Sequence, residues 1–304
     1  MGKCKSPMRY PGGKSRVANL LLKYMPEGTV EYREPFVGGG GVFFNLPSSI
    51  KSKWINDLNK PLIEVYLAFR DRPVEFIKLC REISPMVAGE IEVPTKGTGK
   101  PYNARLGELF EAFKYNEEMD QALRYFFINR TVWAGRVNYD PAFESRLYYS
   151  NPTGWNITKG DLLERVADHI AGTKITALDY SELLGGTGDG DGVWVYLDPP
   201  YVVDTRLARS SKLYECGFSD EDHVRFAEVC KSTGHKVCIS YDNDPKVYEL
   251  FSDAGFHIYE HSWTYSGTQV CSKKRGVYTA GEDKKAGKEL IITNYERDEA
   301  RFKS

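Results

Sequence analysis

The strongest candidate for chemistry is the run Asp198-Pro199-Pro200-Tyr201. Its carboxylate, proline carbonyl and aromatic ring suit a planar ligand that carries an amino group. The apolar run from Val193 to Leu197 just before it predicts a buried strand, which two prolines cannot continue. Because ligands of open α/β sheets lie at the carboxyl ends of strands, the run predicts a binding site. The alternative is a turn in which Asp198 caps a helix.

A second candidate is the glycine-rich turn at residues 38–41, which follows a predicted strand at residues 29–33 and Glu34. With a helix predicted to begin at Val42, this order is typical of the start of a nucleotide-binding α/β unit, because glycines let the backbone approach a ligand closely. No GxGxxG phosphate motif follows in register. A ligand with an ammonium group therefore suits Glu34 better than a diphosphate does.

A third candidate is Asp57, which follows a second short predicted strand at Trp54 and Ile55. An acidic residue about 20 positions after a glycine turn can bind the two hydroxyl groups of a ribose. The alternative is that Asp57 is the N-cap of a helix that begins near Pro61.

The turn Gly12-Gly13-Lys14-Ser15 precedes a helix that is predicted by the spacing of Val17, Leu20, Leu21 and Tyr24. Backbone N–H groups in such a turn can bind an anion at the start of the helix. The turn is not a P-loop, because the earlier glycine of that motif is absent. The alternative is an ordinary loop with an exposed lysine.

Residues 69–158 break the alternation of strands and helices, and we interpret them as an insertion within an α/β domain. Helices are predicted from Val74 to Ile83, from Leu106 to Phe113 and over the stretch that contains Arg130. Four arginines here are interleaved with aromatic residues: Arg124, Arg130, Arg136 and Arg146. This pattern can serve phosphates, guanine edges and unstacked bases. The alternative is a small helical subdomain whose arginines cover apolar surface.

The α/β alternation resumes at residue 159, with strands predicted at 175–178, 193–197, 236–241, 256–261 and 289–293 and a frayed, charged tail from Glu296.

A net charge of −1 excludes an overall basic field, so a nucleic acid would need a local patch of positive charge. The six cysteines form no CxxC pair and the histidines no metal constellation, so we expect no metal. No run of 18 apolar residues exists, and we expect a cytoplasmic protein that contacts no membrane.

In their order along the chain, these motifs resemble those of the Dam-type DNA adenine N6-methyltransferase family. The resemblance rests on MRYPGGK, REPFVGGGGVFFN, INDLN, FINR and LDPPY, and it covers nearly the whole chain. The order, with the cofactor loop first and DPPY last, is similar to the α group of amino-methyltransferases. The resemblance implies a Rossmann-like, S-adenosylmethionine-dependent α/β sheet, with residues 1–68 and 159–304 as the catalytic domain and residues 69–158 as an inserted, mainly helical DNA-recognition subdomain.

By the same resemblance, the chain moves a methyl group from S-adenosyl-L-methionine to N6 of an adenine that is flipped out of double-stranded DNA. The catalytic residues would be Asp198, Pro199, Pro200 and Tyr201. The cofactor would be bound by Tyr10, Lys14, Glu34, Phe36, Gly38, Gly40, Asp57, Asp179, Tyr180 and Asp198. Among these, Glu34 and Phe36 would face the methionine part, Asp57 the ribose, and Asp179 with Tyr180 the adenine ring. DNA would be bound by Arg130, Arg136 and Asn138.

Two alternative functions stay open: a cytosine-N4 methyltransferase, which more often has Ser in place of Asp198, and a DNA-binding relative that has lost catalysis. The recognised site is open as well, because residues 139–144 differ from the segment found in many relatives that read GATC. The sequence does not distinguish a restriction–modification, phage or housekeeping role in a bacterial cell. It does not determine the oligomeric state, for which we expect a monomer.

Overall fold

The structure is a computed structural model that describes residues 4–10, 12–83, 92–94, 101–132, 135, 137, 153–185, 192–202, 218–252, 255–263 and 287–303. Its strands are β1 Glu31–Glu34, β2 Ser52–Asn56, β3 Glu92–Pro94, β4 Pro101–Asn103, β5 Lys174–Thr176, β6 Val193–Leu197, β7 Lys236–Asp242, β8 His257–Trp263 and β9 Gly287–Thr293. Its α-helices are α1 Ala18–Leu21, α2 Lys60–Asp71, α3 Pro73–Ile83, α4 Ala104–Phe113, α5 Gln121–Thr131, α6 Leu162–Ile170, α7 Ser181–Leu184, α8 Asp220–Ser232 and α9 Pro245–Phe251. Within these ranges, no helix is long and apolar enough to cross a membrane.

Seven strands form one sheet in the order β5-β2-β1-β6-β7-β9-β8, and β3 and β4 form a separate hairpin. Neighbouring strands in the large sheet are parallel except at β9, which runs antiparallel to β7 and β8. From β1 the chain moves outward through β2 and β5, then returns to β6 on the other side of β1. The strand order therefore reverses between β1 and β6, which is where such sheets bind ligands. The Rossmann-like α/β sheet predicted from the sequence is confirmed.

The sheet is covered on both faces, which explains why β6 is apolar throughout. Trp194 and Tyr196 join the core on the face that also packs against α2 and α5. Val195 and Leu197 join the opposite core, together with Phe226 of α8. Every residue of β6 is buried, so the end of this strand is held in place from both sides.

Helices α3, α4 and α5, from the segment predicted to be an insertion, share a core with the sheet. The ring of Phe69 on α2 lies 4.9 Å from that of Phe76 and 5.6 Å from that of Phe126, measured between ring centroids. Asp120 caps α5, because its side chain accepts a hydrogen bond from the backbone N–H of Leu123. Helices α3 and α5 are therefore packed onto α2.

The prediction of a helix that begins at Val42 is wrong. The structure has only a single 3₁₀ turn here, Phe43–Asn45. Pro47 disfavours the helical conformation at the preceding residue, and Leu46 is accordingly extended, with φ −57° and ψ 142°. The glycine turn is therefore followed by an irregular connection to β2.

The frayed tail predicted from Glu296 is also wrong, because residues 295–303 pack against the start of the chain. Arg301 donates hydrogen bonds to the carbonyl oxygens of Leu22 and Met25. The ring of Phe302 lies 4.8 Å from that of Tyr24 in an edge-to-face arrangement, which adds to the attraction. The C-terminal segment is therefore anchored to the protein although it is rich in charged residues.

Candidate active site

The carboxyl ends of β1, β2 and β6 bring most of the predicted site residues into one cleft. Those that line it are Tyr10, Lys14, Glu34, Phe36, Gly38, Asp57, Asp198, Pro199, Pro200 and Tyr201. Gly40, Asp179 and Tyr180 are not among its lining residues. Glu34 ends β1 and Asp198 follows β6, so the two carboxyl groups belong to neighbouring strands at the point where the strand order reverses.

Asp198 forms an ion pair with Lys14 inside this cleft. The Lys14 ammonium donates to both carboxylate oxygens of Asp198, at 2.8 and 3.0 Å, and to the Tyr201 hydroxyl at 2.7 Å. Only 4% of Lys14 is exposed, so the alternative of an ordinary loop with an exposed lysine is wrong. Residues 199–202 are not helical, so Asp198 does not cap a helix there. Both carboxylate oxygens of Asp198 are therefore hydrogen-bonded to the ammonium group of Lys14 in this structure.

Ser240 of β7 is a further partner of Asp198 that the sequence analysis did not identify. Its hydroxyl group donates to Asp198 Oδ1 at 2.9 Å, and the hydroxyl oxygen of Tyr196 lies 2.8 Å from Ser240 Oγ. Both Ser240 and Tyr196 are buried. The signal in the sequence is weak: Ser240 is a small polar residue in the buried part of β7, and β7 is the strand that follows β6 along the chain.

Glu34 is a buried carboxyl group that accepts a hydrogen bond from the Tyr32 hydroxyl at 2.8 Å. Burial raises the pKa of Glu34 well above its ordinary value; the hydrogen bond from Tyr32 opposes this shift, and the negative charges of Asp198 and Asp57 add to it. Among the ion pairs of the described residues, none involves Glu34. A positively charged ligand would relieve the cost of ionising this group.

Asp57 holds the glycine turn in position. Its Oδ2 accepts a hydrogen bond from the backbone N–H of Gly38 at 2.9 Å, and its Oδ1 accepts one from the backbone N–H of Asn59 at 3.0 Å. Burial raises the pKa of Asp57, and these two N–H donors oppose the shift. The N-cap of α2 is Asn59, so the alternative of Asp57 as that cap is wrong. Asp57 therefore supports the turn and lines the cleft at once.

Two glycines of the turn are required by its geometry. Gly40 has φ +67°, a conformation that side chains disfavour, and a Cβ there would lie 2.8 Å from the ring of Phe44. At Gly41 a Cβ would lie 2.9 Å from the backbone nitrogen of Lys14 and 2.8 Å from that of Ser15. The turn is therefore packed directly against the segment that carries Lys14.

Asp179 and Tyr180, which the sequence predicts at the cofactor adenine, lie just behind the cleft. Arg225 donates to both carboxylate oxygens of Asp179, at 3.1 and 2.7 Å, and lowers the pKa of Asp179 to about 2. The Tyr180 ring lies 5.5 Å from Phe36 and 5.9 Å from Phe218, two rings that line the cleft. Tyr180 thus supports one wall of the cleft.

Asn129 of α5 fastens the N-terminal segment to that helix. Its side chain accepts a hydrogen bond from the backbone N–H of Arg9 at 2.9 Å and donates to the Arg9 carbonyl at 2.7 Å. It also donates to the Gly135 carbonyl at 3.0 Å, and a Cβ on Gly135 would lie 2.3 Å from that same Arg9 carbonyl oxygen. These roles of Asn129 and Gly135 are not among those predicted from the sequence, although Asn129 belongs to the FINR segment and Gly135 is the glycine that follows it.

Arg130, predicted to bind DNA, is directed toward the protein in this structure. Its guanidinium donates to the carbonyl oxygens of Gly154 at 3.0 Å and Pro7 at 3.2 Å. Burial, together with the charge of Arg9, lowers the pKa of Arg130 to about 10. The other two predicted DNA-binding residues, Arg136 and Asn138, lie outside the described residues.

Within the described ranges, no group of three or more His, Cys, Asp or Glu side chains could hold a metal ion.

The chain is similar to known DNA methyltransferases. The model of the D12 class N6 adenine-specific DNA methyltransferase matches residues 10–266. The chain is 28% identical to the type II methyltransferase M1.LlaDCHI of Lactococcus lactis subsp. cremoris over 295 residues, which cover 94% of each chain. It is 25% identical to the type II methyltransferase M.MjaIII of Methanocaldococcus jannaschii over 304 residues, covering 95% of this chain and 98% of that one. It is 24% identical to the DNA adenine methylase of Escherichia coli over 263 residues, covering 85% of this chain and 88% of that one.

The matched residues span the whole cleft, from Tyr10 to Phe218. The family model is specific for adenine, so the cytosine-N4 alternative is not supported. The chain therefore belongs to the D12 class N6 adenine-specific DNA methyltransferase family, as its motifs predicted.

Proposed function

We propose that the cleft is the active site of this adenine methyltransferase, with S-adenosyl-L-methionine as methyl donor and a flipped adenine of double-stranded DNA as acceptor. The observation that carries the proposal is the pair of carboxyl groups, Glu34 and Asp198, on neighbouring strands in one cleft. One can hold a ligand ammonium group and the other a substrate amino group. A flipped adenine and this cofactor are the ligands that carry those groups.

The β1 side of the cleft fits the cofactor. Glu34 is buried without a cation among the described residues, and it would pair with the ammonium of the methionine part. Asp57 would accept hydrogen bonds from the ribose, and Gly38 lets the backbone come close to it. When bound, the cofactor supplies an electrophilic methyl group on a sulfonium sulfur. Asp179 and Tyr180 stay proposed contacts of the cofactor adenine, reached past Phe36.

The β6 side acts on the acceptor. The lone pair of an exocyclic adenine nitrogen is delocalised into the ring, so this nitrogen is a weak nucleophile. Hydrogen bonds from its NH₂ group to the Asp198 carboxylate and the Pro199 carbonyl would favour a pyramidal nitrogen with a localised lone pair. Positioning and fixed electrostatics then lower the barrier. Tyr201 would stack on the base. The carboxylate of Asp198 would then accept hydrogen bonds from both Lys14 and the amino group of the base.

The DNA is proposed to meet the segment 69–158. An adenine within a duplex cannot reach a cleft at the sheet edge, so the base must leave the stack. Arg136 and Asn138 stay our proposed base-reading residues. For Arg130, the bonds to Gly154 and Pro7 favour a role in holding the N-terminal segment beside the cleft.

The deciding experiment is transfer of a labelled methyl group from S-adenosylmethionine to duplex DNA, followed by analysis of the modified nucleosides. We expect label in N6-methyladenine and none in N4-methylcytosine. A protein that binds the cofactor but labels no DNA of any sequence would instead be the inactive DNA-binding relative. A matched duplex whose adenines already carry N6-methyl groups is the control for label bound without transfer.

Cofactor affinity is expected to fall as pH is lowered. Glu34 has a raised pKa in the free protein, and pairing with an ammonium requires its ionised form, so binding at a pH between the pKa values of the bound and the free protein should release protons. Calorimetry in buffers of different ionisation enthalpy measures this release. Glu34→Gln should bind more weakly and release almost no protons, whereas equal proton release by both proteins would contradict the assignment.

Arg136 is expected to read a base, and Arg130 to stabilise the fold. Arg136→Ala should weaken binding to the preferred DNA site by about 1–3 kcal/mol and relax the base preference at one position of that site. The reason is that arginine can bond guanine N7 and O6 together. Arg130→Ala should lower the melting temperature, because Gly154 and Pro7 lose its hydrogen bonds. Methylation of a library of DNA sites at fixed salt measures the site preference of both variants, and thermal unfolding measures their melting temperatures. An unchanged site preference in Arg136→Ala would reject its reading role.

A further inference from the structure

The catalytic carboxylate is held from behind by a buried chain of hydroxyl groups. In the parallel register of β6 and β7, Tyr196 is opposite Cys238 and Leu197 opposite Ile239, so Asp198 comes level with Ser240. Ser240 Oγ donates to Asp198 Oδ1 at 2.9 Å and lies 2.8 Å from the Tyr196 hydroxyl oxygen. Ser240 is 0% exposed and Tyr196 1%.

The direction of these hydrogen bonds follows from proton count. An ionised carboxylate has no proton to give, so the single hydroxyl proton of Ser240 points to Asp198. Ser240 can then only accept from Tyr196, which must be the donor. Burial raises the pKa of Tyr196 far above neutral pH, so that hydroxyl keeps its proton. The chain therefore runs from Tyr196 through Ser240 to Asp198 in one direction.

This arrangement treats the two oxygens of Asp198 differently. Oδ1 accepts from Ser240 and Lys14, whereas the one donor to Oδ2 among the described residues is Lys14. An oxygen bonded on the buried side cannot turn away, so the carboxylate plane is fixed and Oδ2 keeps acceptor capacity for a further donor. Resting on the function proposed above, we infer that Ser240, backed by Tyr196, is a positioning residue that sets which oxygen of Asp198 receives the target amino group.

The test compares single-turnover methylation rates of Ser240→Ala, Ser240→Thr and Tyr196→Phe with cofactor affinity and melting temperature. Ser240→Ala should slow methyl transfer by about 10- to 100-fold, as loss of a hydrogen bond to a charged group does. Cofactor affinity should stay within about 2-fold, because Glu34 and Asp57 are untouched. Ser240→Thr, which keeps the hydroxyl group, should restore most of the rate, and Tyr196→Phe should show a smaller loss. Ser232→Ala, on the exposed surface of α8, is the matched control.

A merely structural role is separated by repeating Ser240→Ala in an Asp198→Ala background. A residue that acts through Asp198 should cause no further loss there, whereas a structural residue should slow the residual rate by the same factor again, which would overturn the inference. A wild-type rate in Ser240→Ala, beside a defective Asp198→Ala, would overturn it too while leaving the proposed function intact. If Asp198→Ala itself is active, the proposed function fails first. Should Ser240→Ala not fold, Tyr196→Phe decides by the same comparison.

Discussion

Replacing Asp198 by alanine is expected to lower the rate of methyl transfer by at least ~10²–10³-fold, the usual effect of losing one preorganised hydrogen-bond partner at a reacting centre. Cofactor affinity should change little, because the proposed contacts to the methionine part and the ribose come from Glu34 and Asp57. Single-turnover methylation of duplex DNA gives the rate, and calorimetry without DNA gives the affinity. A folded Asp198→Ala protein with near-wild-type turnover would contradict the proposed role of Asp198 in methyl transfer.

The ion pair complicates this variant in a predictable way. Removing Asp198 leaves the buried Lys14 ammonium without its carboxylate, which typically costs about 3–5 kcal/mol of stability. We therefore expect Asp198→Ala to melt at a lower temperature than the wild type. Adding Lys14→Met should recover stability by removing the stranded charge, but it should not recover activity. Activity regained in the double variant would mean that Asp198 serves only to neutralise Lys14.

Replacing Asp57 by alanine is expected to weaken binding of S-adenosylmethionine by about 1.5–3 kcal/mol, the value of a charge-assisted hydrogen bond. That corresponds to roughly 10- to 150-fold in the dissociation constant. Asp57 is also the acceptor for the N–H groups of Gly38 and Asn59, so the turn itself is expected to loosen. Calorimetry without DNA measures the affinity, and the melting temperature reports on the turn.

Two variants separate these contributions. Asp57→Asn keeps a carbonyl oxygen for one backbone N–H but removes the charge, so it should bind the cofactor more weakly with a smaller loss of stability. Asn59→Ala removes the cap of α2 and leaves the Asp57 carboxylate in place, so it should lower stability more than affinity. Unchanged affinity in Asp57→Ala would assign this residue to the turn alone.

The strands and the position of DPPY at a sheet edge could be predicted because the signals are local. An apolar run ended by two prolines, or a glycine turn after a strand, carries its meaning within a few residues. The end of the glycine turn shows the limit of such patterns. A helix start was predicted from Val42, but Pro47 terminates it within one 3₁₀ turn.

The partners of the site residues could not be predicted, because they are distant in the sequence. Lys14 and Asp198 are 184 positions apart, and Arg9 and Asn129 are 120 apart. Nothing in the local pattern of either residue indicates the other. Ser240 is similar: its role depends on the register of β6 against β7, which side-chain pairing determines only once the sheet exists. The DNA-reading residues Arg136 and Asn138 stay predictions.

The ion pair between Lys14 and Asp198 has a consequence for biosynthesis. At about 5–20 residues per second, a ribosome needs on the order of 10–40 s to add the 184 residues that separate the two partners. Throughout that interval the carboxylate that pairs with Lys14 does not yet exist. Ser240 follows later still. A polypeptide released before residue 198 therefore carries the glycine turn without the carboxylate that is proposed to act on the acceptor.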